Sequence, residues 1–325
     1  MGRAAPAPPT RSTRSPTSAP SATSRASPCR PILPTAPTCC TLTRSPPSAR
    51  ARPSDCWLRC PRASPASRGS PGPLSLPSQL AAQRNFGNKF ALCLPGFAAF
   101  GDTPVYIGSY NAAHFELIEY RSSLPYTPLL ANPRNAGYYI PVKGISVSWN
   151  GVHLPVSLPT GALDLDTRSG RGGVVLSTVT PYAIMRPDVF RSFSQAFDAA
   201  IDRGKYTDVV RVPAVGPFKL CYAGAFPLRK RPPTYDVPWI HLELQGGATG
   251  NWTLFNGNYL VQLPEALCVG ILEMGPGGMP VDGEPAMVLG LKQLEKNLLV
   301  FDLDKMVMWF SELLDIRLFR CDIPA

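Results

Sequence analysis

The chain has 325 residues and a formal net charge of +10, from 32 basic and 22 acidic side chains. Residues 1–70 hold 11 of the arginines and a single acid, Asp55, so residues 71–325 carry 21 residues of each sign. The high pI therefore gives no evidence that the globular part binds nucleic acid. No apolar run is long enough to predict a membrane-spanning helix.

The first 70 residues are rich in Pro, Ser and Arg and contain no Lys. Such a leader cannot bury enough apolar surface to offset its chain entropy, so we expect disorder. One interpretation is a nucleic-acid-binding tail, but the arginines are scattered and Trp57 is the only aromatic residue. The sequence favours a frame error or truncated gene model, because out-of-frame GC-rich DNA gives this composition. No apolar signal-peptide segment follows Met1.

The rest of the chain has the pattern of a β-rich domain. Apolar residues alternate over Ile145–Trp149, Asn150-Gly151 supplies a type I′ turn, and Val152–Leu154 returns as the partner strand. Ile240–Leu244 alternates like a half-buried strand. Residues 254–263 predict a second hairpin through Asn256-Gly257. Many short strands separated by Gly and Pro indicate a sandwich or barrel-like domain.

One stretch, Gly172–Phe190, combines a strand, a polar loop and a helix. Val174–Leu176 predicts a buried strand that ends at Ser177-Thr178. Pro181 then opens a helical pattern over residues 181–202. The residues on its apolar face are Phe190, Phe193, Phe197 and Ile201.

This stretch resembles the second active-site loop of the pepsin-like aspartic proteases, in the plant branch that holds wheat-type xylanase inhibitors and basic globulins. The resemblance places Ser177 where the active enzymes have their second catalytic aspartate. No Asp-Thr-Gly or Asp-Ser-Gly occurs in the chain; the nearest pieces are Asp102-Thr103-Pro104 and Asp166-Thr167-Arg168. Because cleavage requires two carboxylates that share a proton, we expect a pseudoenzyme with no catalytic residue.

Further segments carry the same resemblance: residues 69–81, 124–130, 138–149 and 286–311. They imply a mainly β protein with three parts: a disordered leader (1–70), a remnant of the N-terminal pepsin-like lobe (71–121) and a pepsin-like C-terminal lobe (122–325). In the last segment a strand leads through a short helix (291–297) into a closing hairpin. There Gly290 should allow a close backbone approach, and Phe301, Met308 and Phe310 should face the core.

Five of the nine cysteines lie in the leader, an odd set without metal-like spacing. For the other four, the resemblance implies the disulfides Cys93–Cys321 and Cys221–Cys268, and with them an oxidising, extracellular (apoplastic) location. Four free buried thiols are the alternative. Asn251 begins an Asn-Trp-Thr sequon, which predicts a glycoprotein if the chain is secreted.

The remaining polar residues give no sign of a metal or cofactor site. His114, His153 and His241 are far apart and lack ligand-like spacing, so we expect each to be a surface or core histidine. The cluster Arg229-Lys230-Arg231 runs into two prolines and predicts an exposed, solvated loop.

The resemblance implies a monomeric binder of a microbial or cell-wall glycoside hydrolase such as xylanase. The inhibitors have a histidine between the last hairpin and the final cysteine, but residues 312–320 contain none. Arg317 or Arg320 offers a cation there instead. Two alternatives stay open: an aspartic endopeptidase whose first half is missing from the gene model, and a nonfunctional fragment.

Overall fold

A computed structural model describes residues 75–102, 106–111, 114–119, 124–149, 152–204, 206, 208–230, 233–245, 251–317 and 319–321. All of them belong to one compact unit, Ser64–Ala325. The leader 1–70 and the Asn150-Gly151 turn lie outside the described residues. The division of residues 71–325 into a lobe remnant and a C-terminal lobe stays a prediction.

The described residues form mainly short strands, which confirms the mainly β prediction. The strands of the first part are β1 (Lys89–Cys93), β2 (Phe97–Phe100), β3 (Tyr106–Asn111), β4 (His114–Glu119), β5 (Tyr126–Pro128), β6 (Tyr138–Ile140), β7 (Val142–Trp149), β8 (Val152–Pro155), β9 (Leu165–Asp166), β10 (Arg171–Gly172), β11 (Val174–Leu176) and β12 (Ala183–Met185). Those of the second part are β13 (Val210–Val212), β14 (Cys221–Ala223), β15 (Leu228–Lys230), β16 (Pro233–Tyr235), β17 (Trp239–Leu244), β18 (Trp252–Leu254), β19 (Leu260–Gln262), β20 (Leu267–Val269), β21 (Ile271–Glu273), β22 (Met287–Leu289), β23 (Leu298–Asp302), β24 (Val307–Phe310) and β25 (Phe319–Arg320). The helices are α1 (Leu76–Arg84), α2 (Pro187–Arg203), α3 (Asn256–Tyr259) and α4 (Leu291–Leu294), with a 3₁₀ turn at Leu314–Arg317.

The strands build several small sheets, and the four larger ones contribute side chains to one main hydrophobic cluster. Two have five strands, in the orders β2-β1-β23-β24-β5 and β21-β12-β22-β11-β6. Two have four strands, in the orders β13-β14-β20-β19 and β18-β17-β7-β8. Smaller groups are β25-β3-β4, β10-β9 and β15-β16. In the second five-stranded sheet, β11 lies between a parallel neighbour, β22, and an antiparallel one, β6.

Helix α2 packs its apolar face into the core, as its periodicity predicts. The buried side chains include Phe190, Phe193, Phe197 and Ile201. The helix begins at Pro187, however, so the prediction of a start at Pro181 was wrong. Proline fits the first turn of a helix but breaks its interior, and the residues before Pro187 form β12 between β21 and β22.

The strand predictions around residues 145–154 and 240–244 are confirmed, with one correction. Strands β7 and β8 pair antiparallel, and β17 lies on the other side of β7. The expected alternation of buried and exposed residues fails in β17, because His241 is buried together with Ile240 and Leu242. Both faces of this sheet are therefore covered near its centre.

The hairpin predicted through Asn256-Gly257 was wrong. These residues begin the single helical turn α3. The strands on either side belong to different sheets, since β18 pairs with β17 and β19 pairs with β20. The Asn258 side chain, which is fully buried, is tied to the main chain of the distant residues Gln293 and Glu295. These tertiary contacts override the local turn signal.

The C-terminal segment agrees with its sequence pattern. Strand β22 leads through α4 into the antiparallel pair β23 and β24, and the side chains predicted to face the core are buried: Phe301, Met308 and Phe310. The helix predicted over 291–297 ends at Leu294, because Lys296 adopts a left-handed conformation with φ of 59°.

Candidate functional site

The candidate site is the loop between β11 and β12. It contains Ser177, which the resemblance places at the position of the second catalytic aspartate. Strand β11 is fully buried, so its position is fixed by neighbours on both sides. Ser177 follows directly and donates its main-chain N–H to the carbonyl of Leu289 at 2.8 Å. The loop therefore starts from a buried interior strand of the sheet.

The Ser177 hydroxyl is engaged within the loop itself. It lies 2.9 Å from the Thr180 hydroxyl and accepts a hydrogen bond from the Thr180 N–H at 3.1 Å. None of these partners is a carboxylate. Between them, Val179 has 65% of its surface exposed. The loop thus presents an apolar tip and a neutral hydroxyl pair, which can donate and accept hydrogen bonds but carry no charge.

The end of the loop, residues 180–182, packs closely against the backbone of Gly290 and the start of α4. Thr180 and Pro181 accept hydrogen bonds from the N–H groups of Leu291 and Lys292, at 2.7 and 3.0 Å. A Cβ on Gly290 would lie 2.3 Å from the Tyr182 carbonyl carbon, so only glycine fits. This confirms the close approach that the sequence predicts at Gly290.

A buried amide cluster, Asn258, Gln293 and Asn297, completes this support; all three side chains are fully buried. Gln293 accepts the Ala183 N–H at 2.7 Å and donates to the carbonyls of Asn258 and Gly270 at 3.0 and 2.9 Å. Asn258 donates to the Asn297 side chain at 2.9 Å. Sequence reasoning missed the cluster because isolated amides in turn-like segments ordinarily predict exposed positions.

The two other Asp-Thr pieces lie outside this loop. Asp102 forms an ion pair with Lys89 at 2.6 Å. Asp166 accepts hydrogen bonds from the Ser169 hydroxyl and from the main-chain N–H groups of Arg168 and Ser169, and these bonds lower the pKa of its carboxyl group. Each carboxylate is therefore part of a local turn or ion pair.

Two disulfides join the cysteine pairs that the resemblance implies. Cys93 on β1 bonds to Cys321 next to β25, across 228 residues of sequence. Cys221 and Cys268 bond between the adjacent strands β14 and β20. All four cysteines are buried. The structure therefore contradicts the alternative of four free thiols.

The other polar residues from the sequence lie in scattered places. Asn251 is exposed just before β18. Arg320 is exposed on β25, which pairs with β3, and Arg317 ends the 3₁₀ turn, with its side chain outside the described part of the structure. Arg229 and Lys230 lie on strand β15, which pairs antiparallel with β16, so the prediction of a loop was wrong for these two residues. Their side chains, and the whole of Arg231, lie outside the described residues.

His153 is an exposed histidine and His241 a buried one, as the sequence predicts, but the two are neighbours in space, which the sequence does not indicate. The ring centroids of His153 and His241 are 5.5 Å apart, because β7 brings β8 and β17 together. The side chain of His114 lies outside the described part. Among the described residues, no three His, Cys, Asp or Glu side chains gather as a metal site would require. Within those same ranges no helix is both long and apolar enough to cross a membrane.

Comparisons with known proteins agree with this architecture. The family model described as "Xylanase inhibitor C-terminal" matches residues 137–312, which is more than half of the chain. The chain is 34% identical over 259 residues to "Chitinase CLP" from Oryza sativa subsp. japonica, covering 76% of this chain and 55% of that protein. It is 30% identical over 267 residues to "Probable aspartic proteinase GIP2" from Nicotiana benthamiana, covering 76% and 55%.

Solved structures show the same fold. The crystal structure of edgp is similar with a TM-score of 0.64 at 28% identity, covering 79% of this chain and 62% of that one. Basic 7S globulin from soybean is similar with a TM-score of 0.51 at 25% identity, covering 74% and 56%. The chain spans about half the length of the curated relatives it matches. It has a pepsin-like fold and belongs to the plant protein family that the xylanase inhibitor C-terminal model describes.

Proposed function

We propose that this chain is a non-catalytic aspartic-protease-like protein that binds and inhibits a secreted glycoside hydrolase such as a xylanase. The observation that carries the proposal is the neutral hydroxyl pair of Ser177 and Thr180 at the end of β11. The match to a family model named for xylanase inhibition supports the binding part.

The chemistry of the loop supports the absence of proteolysis. Aspartic proteases use two carboxylates, of which one accepts a proton from water while the other donates one. A serine hydroxyl is not ionised near acid or neutral pH, so Ser177 cannot take either role. Its oxygen also accepts the Thr180 N–H, which occupies part of its bonding capacity.

For the contact with the hydrolase we propose the C-terminal segment that carries Arg317 and Arg320. Glycoside hydrolases commonly place two carboxyl groups around the bond they cleave. A guanidinium group can bind such a pair through charge-assisted hydrogen bonds. Arg320 is exposed, and the nearby Cys93–Cys321 disulfide fixes the end of this segment to β1. The chain would act as a monomer.

An extracellular location fits this proposal, because both disulfides require an oxidising compartment. We further propose that Asn251 carries an N-linked glycan, since the asparagine is exposed and the sequon is complete. Removal of the glycan by a peptide N-glycosidase should lower the mass of the plant-secreted chain, and Asn251→Gln should abolish that difference. An unchanged mass in the parent would contradict the assignment.

The binding proposal is tested with the full chain, produced in an oxidising host and titrated into a family of xylanases. We expect inhibition that weakens about tenfold or more in the double variant Arg317→Ala/Arg320→Ala, because a charge-assisted contact is lost. Arg84→Ala, at an exposed arginine on α1, is the matched control and should inhibit like the parent. Inhibition that is equal in all three proteins would contradict the role of the two arginines, and its absence would contradict the proposed function.

An aspartic endopeptidase is the second candidate, favoured by the relative named "Probable aspartic proteinase GIP2". It requires a first catalytic aspartate encoded upstream of this reading frame. Haemoglobin digestion that pepstatin abolishes would favour it over binding. A nonfunctional fragment is the third, and soluble protein that inhibits a xylanase would exclude it.

A further inference from the structure

The sheet β18-β17-β7-β8 carries a compact set of polar side chains opposite its core-facing side. This polar face consists of Ser146 and Ser148 on β7, His153 on β8, His241 on β17 and Thr253 on β18. His241 has only 8% of its surface exposed, whereas His153 is exposed. Their ring centroids are 5.5 Å apart and tilted by 42°, so the two imidazoles are neighbours across β7.

Both ring nitrogens of His241 have hydroxyl partners. Nε2 lies 2.6 Å from the Ser148 hydroxyl and Nδ1 lies 2.9 Å from the Thr253 hydroxyl. A neutral imidazole donates through one nitrogen and accepts through the other, and hydroxyls can serve both roles. An imidazolium must donate through both nitrogens, so protonation would force one hydroxyl to give up its donor role.

The charged groups on this face are few. Strand β8 contributes His153, and β17 contributes His241 and Glu243; the side chains of β7 and β18 on this face are hydroxyls. Burial is the main cause that lowers the pKa of His241, the charge of His153 lowers it further, and Glu243 opposes both. The environment therefore favours a neutral His241.

We propose that the His153–His241 pair is an acid-sensitive device that loosens the strands β8 and β18 when both rings become protonated. Two cations would then lie side by side, and the hydroxyl bonds that join β17 to β7 and β18 would rearrange. The inference does not depend on the proposed function, because it concerns the stability of one sheet.

The direction of the pH effect follows from linkage. The unfolded chain binds a proton at His241 near the ordinary pKa of about 6.5, whereas the folded chain binds it only at lower pH. Between these two values the unfolded state holds more protons, so stability falls as the pH decreases. Above the ordinary pKa the full stability is present.

Hydrogen–deuterium exchange of the full chain at about pH 7.5 and about pH 5, corrected for intrinsic exchange rates, tests the device. We expect amide protection in β8, β17 and β18 to fall several-fold at the lower pH, since one pKa unit corresponds to a tenfold change. His241→Gln can still hydrogen-bond but does not titrate, so most of this pH dependence should disappear. His153→Gln should remove a smaller part, and His114→Gln, the matched control, should behave like the parent.

The result that would overturn the proposal is a parent-like pH dependence in His241→Gln. If that variant does not fold, an NMR titration of the histidine ring protons in the parent replaces it, with assignments from His153→Gln and His114→Gln. A midpoint of His241 at or above about 6.5 contradicts the proposal, and a lower midpoint supports it only together with the fall of amide protection in β8, β17 and β18 of the parent.

Discussion

Two buried polar clusters stabilise this fold in different ways. Beneath the Ser177 loop, the amide cluster Asn258, Gln293 and Asn297 bonds to main-chain groups and has no group that titrates. On the polar face of the β18-β17-β7-β8 sheet, His241 bonds to two hydroxyls and lies beside a second histidine. The first cluster should hold its loop equally at every pH, whereas the second should weaken in acid. The predictions below test this contrast, from the largest expected effect to the smallest.

Removal of the Gln293 side chain should lower the free energy of unfolding more than any other change proposed here. Gln293→Ala leaves the Ala183 N–H and the carbonyls of Asn258 and Gly270 without their partner in a fully buried place. Since each unsatisfied buried group costs about 1–3 kcal/mol, we expect a loss of about 3–5 kcal/mol in the free energy of unfolding. Urea denaturation at about pH 7.5 and about pH 5 measures it, and the loss should be the same at both.

Gln262→Ala is the matched control for this change, because the Gln262 side chain accepts only an exposed hydrogen bond from Tyr235. It should change the free energy of unfolding by less than about 0.5 kcal/mol. Equal losses in the two variants, or a loss in Gln293→Ala that depends on pH, would contradict the assigned role of the amide cluster.

Gly290→Ala should cause the next largest loss in the free energy of unfolding. The new Cβ would meet main-chain atoms of Tyr182 and Ala183 at 2.3 to 2.8 Å, and the backbone cannot yield as a flexible side chain would. We expect a loss of about 2–3 kcal/mol, measured by urea denaturation. Gly277→Ala is the control, since a Cβ there meets nothing within 4 Å; a parent-like stability of Gly290→Ala would disprove the close approach.

Thr253→Val should cost less. The substitution keeps the shape of the side chain but removes the hydroxyl that partners Nδ1 of His241, so we expect a loss of about 1–2 kcal/mol in the free energy of unfolding. Thr253→Ser retains the hydroxyl and should lose less than half of that. Protein made without glycosylation avoids the effect of the sequon, and identical losses in both variants would show that packing, not the hydrogen bond, matters.

Ser177→Ala should cause the smallest loss in the free energy of unfolding among these changes, apart from the controls. It removes the hydroxyl that bonds to Thr180 in a partly buried loop, so a loss of about 1 kcal/mol is expected. Thr178→Ala, whose hydroxyl makes no hydrogen bond in the described structure, is the neighbouring control and should be close to neutral. A larger loss for Thr178→Ala than for Ser177→Ala would contradict the description of the loop.

The sequence predicted those features that depend on local pattern. The antiparallel pairing of β7 with β8 and the apolar face of α2 follow from local periodicity, and the resemblance located Ser177 and the close backbone approach at Gly290. The start of α2 lies at Pro187 rather than Pro181 because a proline is tolerated in the first turn of a helix but not in its interior.

The features that sequence reasoning missed depend on sheet order. His153 and His241 are brought together only because β7 lies between their strands, which no spacing along the chain indicates. Asn258 and Gln293 meet across α3 and α4 in the same way. Tertiary contacts of this kind also replaced the expected Asn256-Gly257 hairpin with a helical turn.

The central claim, that this scaffold does not cleave peptides, is tested most directly by haemoglobin digestion with the full chain at about pH 3–5, with and without pepstatin. We predict no digestion by the parent or by Ser177→Ala, because neither loop presents a carboxylate. Pepstatin-sensitive digestion by the parent would contradict the account.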